Sequence, residues 1–471
     1  MKIEISNTIK VKEASLSITN KLVDRLTIVN PEYEEAVDKD RSTHGIPKYI
    51  YDFNYITGGI EIPRGYRKHL FNIIDGLKYT TVDNRKKFPR TDINSAEITY
   101  RYYQRQPVVD LMQEEDGLLV APAGSGKTLI GLTLIPIFGQ PTLWLTHTNR
   151  LAKQAIDRAT EFLPDLEKTG IGFIGAGKWE VGNLFTVALV QTLIRRPEQL
   201  QDLLNKFGLV IVDEAHHCPA KTFTDVVKEL NPYFLYGLTA TPFRRDKLEK
   251  LMFQTLGDIR SIIEIDEVRK HGGIILPCVK YRTLNIKYPK KLRKSNNTQK
   301  IMSHIIEDSD RNNIIVGDVL REATLGNYCI VISDRKAHCE ELYSLVSKGW
   351  DKTGIATGSY SEKYCDDQVK KFYESEITVL VTTFALLGEG FDVDFLNRAF
   401  VTTPFRAKGK AVQLVGRIQR SADGKKDAIV YDYVDDNVGV LRHQFEGSRF
   451  NRNCRYTAYE ELGMNIEPYN S

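Results

Sequence analysis

The stretch Ala121-Pro-Ala-Gly-Ser-Gly-Lys-Thr128 decides the fold, because it follows the apolar run Gly117-Leu-Leu-Val-Ala121 and precedes a second apolar segment. A glycine-rich turn between a strand and a helix points backbone N–H groups and the positive helix end at an anion, for which phosphate is the natural occupant. At this spacing Lys127 is expected to reach the β- and γ-phosphates of ATP, and Thr128 to place its hydroxyl on Mg²⁺. The turn residues expected to line the nucleotide are Pro122, Ala123, Gly124, Ser125 and Gly126.

A pair of carboxylates follows another apolar run further along the chain. Asp213-Glu-Ala-His216 comes directly after Leu209-Val-Ile-Val212, at the end of a predicted parallel strand that faces the phosphates. Asp213 is expected to hold Mg²⁺, directly or through water, and Glu214 to orient or deprotonate the attacking water. Together with the glycine-rich turn, these residues predict an ATP hydrolase.

The adjacent histidines His216 and His217 raise the alternative of a metal pair. Residues one position apart lie on different faces of a helix, so joint metal ligation is disfavoured. A hydrogen bond from His216 across a domain interface is the preferred interpretation.

A third element, Gln413-Leu-Val-Gly-Arg-Ile-Gln-Arg420, lies roughly 200 residues beyond the carboxylates, too far to share one small domain with them. Arg417 and Arg420 are three positions apart and are expected to share a helical face that reaches one anion. For an isolated occurrence, a pair of surface arginines would be the simpler interpretation.

Buried strands alternate with helices in two separate parts of the chain. The first set includes 142–146, 185–189 and 209–212, and the second includes 328–333, 379–383 and 399–402. This pattern predicts the α/β class with two tandem parallel-sheet domains after a small N-terminal α+β domain. The predicted domains are 1–97, 98–278 and 279–471.

Composition narrows the class of protein further. The 471 residues carry a net charge of +4, and no apolar stretch approaches the roughly 18 residues that a membrane span requires. The start lacks a signal-peptide pattern, and six scattered cysteines fit a reduced compartment. We expect a cytoplasmic protein that is a monomer, alone or within a larger complex. We expect no membrane partner, zinc site or disulfide framework.

The end of the N-terminal segment is basic, from Arg64 to Arg90. Two interpretations stay open for this stretch, a solvated linker or a nucleic-acid contact. The residues proposed to contact nucleic acid here are Arg85, Lys86 and Lys87.

Three further segments complete an ordered series: Arg101-Tyr-Tyr-Gln104, Leu238-Thr-Ala-Thr-Pro242 and Glu389-Gly-Phe-Asp392. In this order the segments resemble the motifs of superfamily 2 helicases, over about residues 98 to 455. The sequence Asp213-Glu-Ala-His-His-Cys-Pro-Ala220 resembles that of the UvsW-like and XPB-like group, which includes type III restriction translocases.

The resemblance implies two RecA-like domains with ATP·Mg²⁺ in the cleft between them. It implies that Gln104 reads the adenine edge, that Arg101 lies on or near the base, and that Arg417 and Arg420 act as arginine fingers. Gln413 joins the catalytic set, Gly390 and Asp392 lie at the cleft, and His216, Thr239 and Thr241 couple the ATP site to nucleic acid. Backbone contacts to nucleic acid are implied for Thr146, His147, Arg150, Gln191, Thr192 and Thr382.

Together these motifs predict an ATP-dependent DNA helicase or translocase that acts on duplex or branched DNA in recombination, repair or replication. Two alternatives remain: the motor subunit of a restriction or defence complex, and an ATP-gated DNA clamp that does not unwind. The clamp alternative is disfavoured if it means a protein that cannot hydrolyse ATP, because the sequence contains Glu214, Arg417 and Arg420.

Overall fold

A computed structural model describes residues 1–215, 220–240, 248–285, 289, 298–388, 393–405, 408–422, 424–447 and 454–469. The chain divides into two compact units, Met1–His271 and Gly272–Ser471.

The first unit opens with a small mixed domain. Its elements are β1 (Lys2–Ile5), β2 (Thr8–Lys12), α1 (Leu16–Leu26), β3 (Thr27–Val29), α2 (Pro31–Asp38), β4 (Tyr49–Tyr51), β5 (Asn54–Ile56), β6 (Gly59–Pro63), a 3₁₀ turn (Arg64–Tyr66), α3 (Arg67–Ile73) and β7 (Thr80–Asp83). Five strands form a sheet in the order β5-β6-β2-β1-β7, and β3 pairs with β4 separately.

The core of this domain follows from two sequence periods. Ile3 and Ile5 alternate with polar residues on β1, and both are buried. On α1 the buried residues Ile18, Leu22 and Leu26 recur every four positions and present one apolar stripe to the core of the small domain. The helix starts at a capped end, because Ser15 accepts a hydrogen bond from the Ile18 N–H.

The rest of the first unit is a larger α/β domain. Its elements are α4 (Tyr102–Met112), β8 (Asp116–Val120), α5 (Lys127–Phe138), β9 (Thr142–Thr146), α6 (Asn149–Phe162), α7 (Pro164–Thr169), β10 (Ile171–Gly175), β11 (Lys178–Trp179), β12 (Phe185–Leu189), α8 (Val190–Ile194), α9 (Pro197–Gln201), β13 (Leu209–Asp213), α10 (Ala220–Lys228), β14 (Phe234–Thr239), α11 (Glu249–Leu256), β15 (Ile259–Ile262) and α12 (Ile265–Lys270).

The eight strands of this domain run in the order β11-β10-β12-β9-β13-β14-β8-β15. All neighbours are parallel except β10 and β11, and the central strands β8, β9, β12, β13 and β14 are buried along their whole length. Strands covered on both faces read as continuous apolar runs, which is why these strands are recognisable in the sequence. The carboxyl ends of β8, β14 and β13 therefore lie side by side.

The second unit contains a second parallel sheet. Its elements are β16 (Cys278–Leu284), α13 (Thr298–Ile306), α14 (Ser309–Thr324), β17 (Cys329–Ser333), α15 (Lys336–Gly349), β18 (Thr353–Ala356), α16 (Glu362–Tyr373), β19 (Val379–Thr383), α17 (Phe384–Gly388), β20 (Arg398–Val401), α18 (Lys408–Ile418), β21 (Ile429–Asp435), α19 (Gly439–Glu446), α20 (Arg455–Glu461) and β22 (Asn465–Pro468). The strand order is β18-β19-β17-β20-β21-β16-β22, with parallel neighbours throughout the described strands.

The predicted fold class is confirmed: two large parallel sheets of RecA-like architecture follow a small mixed N-terminal sheet. The boundary between the units falls at 271/272, ahead of the predicted boundary at 278/279. The difference arises because Ile274 and Ile275 already pair with Arg420 and Gln419 of the second unit. Within the described ranges, no helix has the length and apolarity needed to cross a bilayer.

Candidate active site

The loop between β8 and α5 depends on two glycines in the left-handed region. Gly124 has φ +82° and Gly126 has φ +84°, conformations that residues with a Cβ rarely adopt. A Cβ at Gly126 would also lie 2.3 Å from Nε2 of Gln104. The helix α5 begins at Lys127, so the loop directs the N-terminus of a twelve-residue helix into the site.

Lys127 is buried at the centre of this loop. Its Nζ donates to the carbonyl of Ala121 at 3.1 Å and lies 3.6 Å from Oε1 of Glu214. The ammonium group is thus held between the loop and the carboxylates at the end of β13. The structure brings together Lys127, Asp213 and Glu214, three of the predicted catalytic residues.

Asp213 is the last residue of β13 and its carboxylate is buried. The pKa of Asp213 is raised to about 7, mainly by burial and then by the neighbouring Glu214, while Lys127 opposes both effects. A second cation would favour the ionised form of this carboxylate. The oxygens of Asp213 and of Thr128, in the first turn of α5, are ligands that Mg²⁺ prefers, so the residues present fit that ion.

Glu214 has a strained backbone. Its φ of +49° lies in the left-handed region, although it is not a glycine, and its N–H donates to Oδ1 of Asp213 at 3.0 Å. Residues in this region cost free energy and are concentrated at functional sites. No local sequence pattern indicates this strain.

Gln104 links the start of α4 to the glycine-rich loop. Its Oε1 accepts from the backbone N–H of Arg101 at 2.9 Å, and its Nε2 donates to the carbonyl of Ser125 at 2.8 Å. The hydroxyl of Ser125 is buried and makes no hydrogen bond to the described parts of the chain. Gln104 therefore positions the loop, while its contact with adenine stays a prediction.

Arg101 and two aromatic residues complete this end of the site. Nη1 of Arg101 donates to the hydroxyl of Tyr103 at 3.1 Å. Tyr102 is 75% exposed, and its ring lies 5.0 Å from that of His271, centroid to centroid. Sequence reasoning missed His271, which is distant along the chain and has no local motif.

The end of β14 connects the loop to the carboxylates through the backbone. The carbonyl of Thr239 accepts from the N–H of Ala121 at 2.9 Å, and that of Leu238 accepts from the N–H of Ala215 at 3.1 Å. A movement of this strand end would therefore reach both sides of the site. Thr239 is a predicted coupling residue, and these backbone hydrogen bonds connect it to the glycine-rich loop.

The predicted nucleic-acid residues of the first unit gather at one part of the sheet edge. Thr146 ends β9 and pairs with Leu189, the last residue of β12, so the segments that follow both strands are neighbours. His147 and Arg150 follow the first strand, and Gln191 and Thr192 follow the second. Thr146 itself is buried, and in the second unit Thr382 is likewise buried inside β19. Neither of these two side chains is exposed, and their contact with nucleic acid stays a prediction.

Arg85 is buried, in contrast to the expectation of a surface contact. Its side chain is 2% exposed, it pairs with Asp83 at 2.7 Å, and its guanidinium lies 4.3 Å from the ring centroid of Tyr233. A phosphate contact by Arg85 is therefore not supported, because the charge is satisfied inside the unit.

Lys86 and Lys87 also contact the larger domain of the first unit. The backbone of Lys86 exchanges hydrogen bonds with Asn231 and Tyr233, and Nζ of Lys87 lies 4.6 Å from the Tyr233 ring centroid. The basic run thus joins the N-terminal domain to the segment before β14. Neither of the two interpretations that the sequence left open, linker or nucleic-acid contact, included this packing role.

In the second unit the two arginines do not share one helix. The helix α18 ends at Ile418, and Arg420 instead forms an antiparallel bridge with Ile274. Nζ of Lys425 donates to the carbonyls of Ile418 and Arg420 at 2.7 and 2.6 Å, which ends the helix between the two arginines. The prediction of a common helical face is wrong for this reason. Nη1 of Arg420 lies 3.5 Å from Oδ1 of Asp394.

Some predicted residues lie outside the described part of the chain. They are His216, Thr241, Gly390, Asp392 and the side chain of Gln413. Their roles stay predictions.

The chain is similar in sequence and in fold to known helicases and to one restriction-enzyme family. Residues 97–244 match the family described as "Type III restriction enzyme, res subunit". A putative ATP-dependent RNA helicase of Acanthamoeba polyphaga mimivirus is 25% identical over 94% of this chain and 82% of its own length. The DNA 3'-5' translocase XPB2 of Sulfurisphaera tokodaii is 24% identical over 79% of this chain and 87% of its own length. S. cerevisiae Dbp5 bound to RNA and ADP BeF3 shares the fold, with a TM-score of 0.56 and 14% identity over 78% of this chain and 90% of Dbp5.

Proposed function

We propose that this chain, which is similar to ATP-dependent helicases and translocases over most of its length, is an ATP hydrolase that couples ATP hydrolysis to translocation along DNA, on duplex or branched substrates. The observation that supports this most directly is the meeting of Lys127, Asp213 and Glu214 at the carboxyl edge of the first large sheet.

In this proposal each residue of the site has a separate task. Lys127 holds the terminal phosphates, while Thr128 and Asp213 would hold Mg²⁺. The ion, when bound, neutralises charge that develops on the phosphate oxygens. Glu214 orients the attacking water and accepts its proton.

The contact between Lys127 and Glu214 suggests how ATP binding makes Glu214 available for catalysis. In the described arrangement the ammonium lies 3.6 Å from the Glu214 carboxylate. A phosphate that binds Lys127 competes for this charge, which leaves Glu214 available to a water molecule. The strained φ of Glu214 is consistent with a residue held for this task.

Arg417 is the proposed arginine finger from the second unit. A planar guanidinium stabilises the charge spread over the transferring phosphoryl oxygens, and it does so only when the two units close on ATP. Closing and reopening would advance the nucleic-acid contacts of the two units alternately along one strand. Arg420, which contacts Asp394, is proposed to assist in the closed form.

One further candidate function has a specific observation in its favour. The match of residues 97–244 to the res subunit of type III restriction enzymes supports a motor subunit of a restriction or defence complex. Such a subunit would share the ATP site and would translocate on duplex DNA without separating strands.

The test compares ATP turnover by the full chain in the presence of single-stranded, duplex, forked and four-way DNA and of RNA. The proposal expects strong stimulation by DNA and displacement of a strand from forked substrates, with Glu214→Gln as the inactive control. Stimulation by duplex DNA without strand displacement would favour the motor subunit. Stimulation by RNA alone would overturn the choice of DNA.

A further inference from the structure

Four aromatic side chains alternate along one short segment of the N-terminal domain. Tyr49, Tyr51, Phe53 and Tyr55, here called the aromatic ladder, have successive ring centroids 6.4, 5.8 and 5.5 Å apart. Tyr51 is 60% exposed and Tyr55 is 69% exposed. Several exposed aromatic rings on one short segment are unusual on a surface that has no ligand.

The intervening residues attach the ladder to the larger domain of the same unit. Ile50 packs in a small apolar cluster with Ile28 and Leu251. Asp52 is buried, and its Oδ1 lies 2.8 Å from Nζ of Lys228. Ile50 and Asp52 therefore point inward and fix this part of the segment, while the rings at its two ends lie on the strands β4 and β5.

The central ring restrains its two neighbours. Phe53 packs against the core of the N-terminal domain. It meets Tyr51 at 77° and Tyr55 at 81°, both edge-to-face contacts. Rings that are already ordered lose little conformational entropy when a ligand binds, so their exposed faces are suited to stacking.

The charge around the ladder suits a polyanion. Nζ of Lys48 lies 5.4 Å from the ring centroid of Tyr49. Between Ile46 and Ile56 the sequence has one carboxylate, Asp52, and that group is buried against Lys228. The segment thus exposes aromatic faces and a cation. Glu61 on the paired strand β6 is a nearby carboxylate, 3.5 Å from Nδ2 of Asn54, and Nζ of Lys10 lies 3.9 Å from it.

We propose that the aromatic ladder binds single-stranded nucleic acid, with unpaired bases stacked on Tyr51 and Tyr55 and a phosphate near Lys48. Stacking platforms combined with cationic groups are the usual means of holding single strands, and they tolerate any base because every base has a π-face. Paired bases inside a duplex are covered by their neighbours, so duplex would not use this surface. The inference rests on the proposed function and adds a site separate from the ATP site.

The test measures binding of the full chain to labelled oligothymidine and to an abasic oligomer of the same length, by fluorescence anisotropy. Tyr51→Ala/Tyr55→Ala should weaken binding to oligothymidine by at least about tenfold and leave binding to the abasic strand unchanged. Tyr51→Phe/Tyr55→Phe should retain binding, because the rings remain. The slope of affinity against salt should stay the same, since no phosphate contact is lost. Tyr79→Ala, another exposed tyrosine of this domain, is the matched control.

The outcomes separate the two proposals. Equal binding of oligothymidine by the wild type and the double alanine variant, or an equal loss on both oligomers, would overturn the ladder. An aliphatic pair, Tyr51→Leu/Tyr55→Leu, that binds oligothymidine as well as wild type would overturn the stacking of bases on these rings. If the ladder binds bases but no nucleic acid stimulates ATP turnover, the translocase proposal fails while the ladder stands. If nucleic acid stimulates ATP turnover but the ladder variants bind oligothymidine like wild type, the ladder proposal fails while the translocase proposal stands.

Discussion

At the scale of single residues, the ATP site combines one buried lysine with two adjacent carboxylates. Lys127 and Glu214 lie 3.6 Å apart, and the Asp213 carboxylate is buried beside them. Each of the three charges depends on the others, because a buried charge without a partner is costly. Single substitutions therefore change both chemistry and local stability, and the two effects must be measured separately.

The first prediction compares Lys127→Ala with Glu214→Gln. The alanine variant should lose nucleotide affinity and turnover together, because it lacks the cation that pairs with phosphate. The glutamine variant should bind ATP about as well as wild type and lose nearly all turnover. Equilibrium binding of a fluorescent nucleotide and steady-state hydrolysis separate the two. Substantial turnover in Glu214→Gln would exclude Glu214 as the group that activates water.

The second prediction concerns Arg417. Arg417→Ala should lower kcat by about 10³ with a small change in ATP affinity, as expected for a finger that acts in the transition state. Arg417→Lys should not restore turnover, because a lysine lacks the planar guanidinium. Arg321→Ala, a partly exposed arginine of the same unit, serves as the control. Near-normal kcat in Arg417→Lys would contradict the assignment.

At the scale of elements, the basic segment after β7 is a structural joint. Tyr233 lies between Arg85 and Lys87, at 4.3 and 4.6 Å from its ring centroid. Arg64 reinforces this joint, because its Nη2 donates to the Tyr233 carbonyl at 2.7 Å. These contacts fix the N-terminal domain to the segment that leads from α10 into β14. That strand ends at Thr239, which is bonded to the glycine-rich loop.

The third prediction tests this joint through stability. Arg85→Ala should reduce the free energy of unfolding by about 2 kcal/mol, through the lost ion pair with Asp83 and the lost cation–π contact. Arg90→Ala, whose side chain is 65% exposed, should leave stability nearly unchanged. Urea denaturation measures both. If instead Arg85→Ala keeps wild-type stability and weakens DNA binding with a shallower salt slope, the interpretation as a nucleic-acid contact is restored.

At the scale of the whole molecule, stability depends on buried polar networks as well as on apolar cores. In the second unit Nε2 of His338 donates to Oδ1 of Asn312 at 2.9 Å, and Nδ1 accepts from the Ser333 hydroxyl at 3.0 Å. Burial, together with the nearby charge of Arg311, lowers the pKa of His338 to about 3. The folded protein thus keeps this imidazole neutral where an unfolded chain would protonate it.

The fourth prediction is an acid sensitivity that His338 causes. Its folded pKa lies below the ordinary value near 6.5, so the unfolded chain binds more protons as pH falls and stability decreases below that value. This residue alone should cost about 1.4 kcal/mol between pH 7.5 and pH 5.5. His338→Gln should be less stable at pH 7.5 and should lose about that much less on acidification. Parallel losses in both proteins would show that other groups cause the acid sensitivity.

The sequence by itself determined the two parallel sheets and the sheet edge at which three candidate catalytic residues meet. Runs such as Leu209-Val-Ile-Val212 are apolar because they are covered on both faces, and the motifs at their ends are local in the chain. The proximity of Lys127, Asp213 and Glu214 could therefore be expected from the sequence alone, since a short motif carries its own geometry, and their catalytic roles stay predictions.

Only the tertiary structure decided features that depend on residues far apart in the chain. Arg85 packs against Tyr233, which is 148 positions away, and the end of α18 depends on Ile274 and Lys425. The strain at Glu214 and the fixing of the aromatic ladder by Lys228 and Leu251 are also invisible locally. Charge patterns and helical spacing indicate the chemistry that a side chain offers, but its partner is set by long-range packing, and the partner determines what that side chain does.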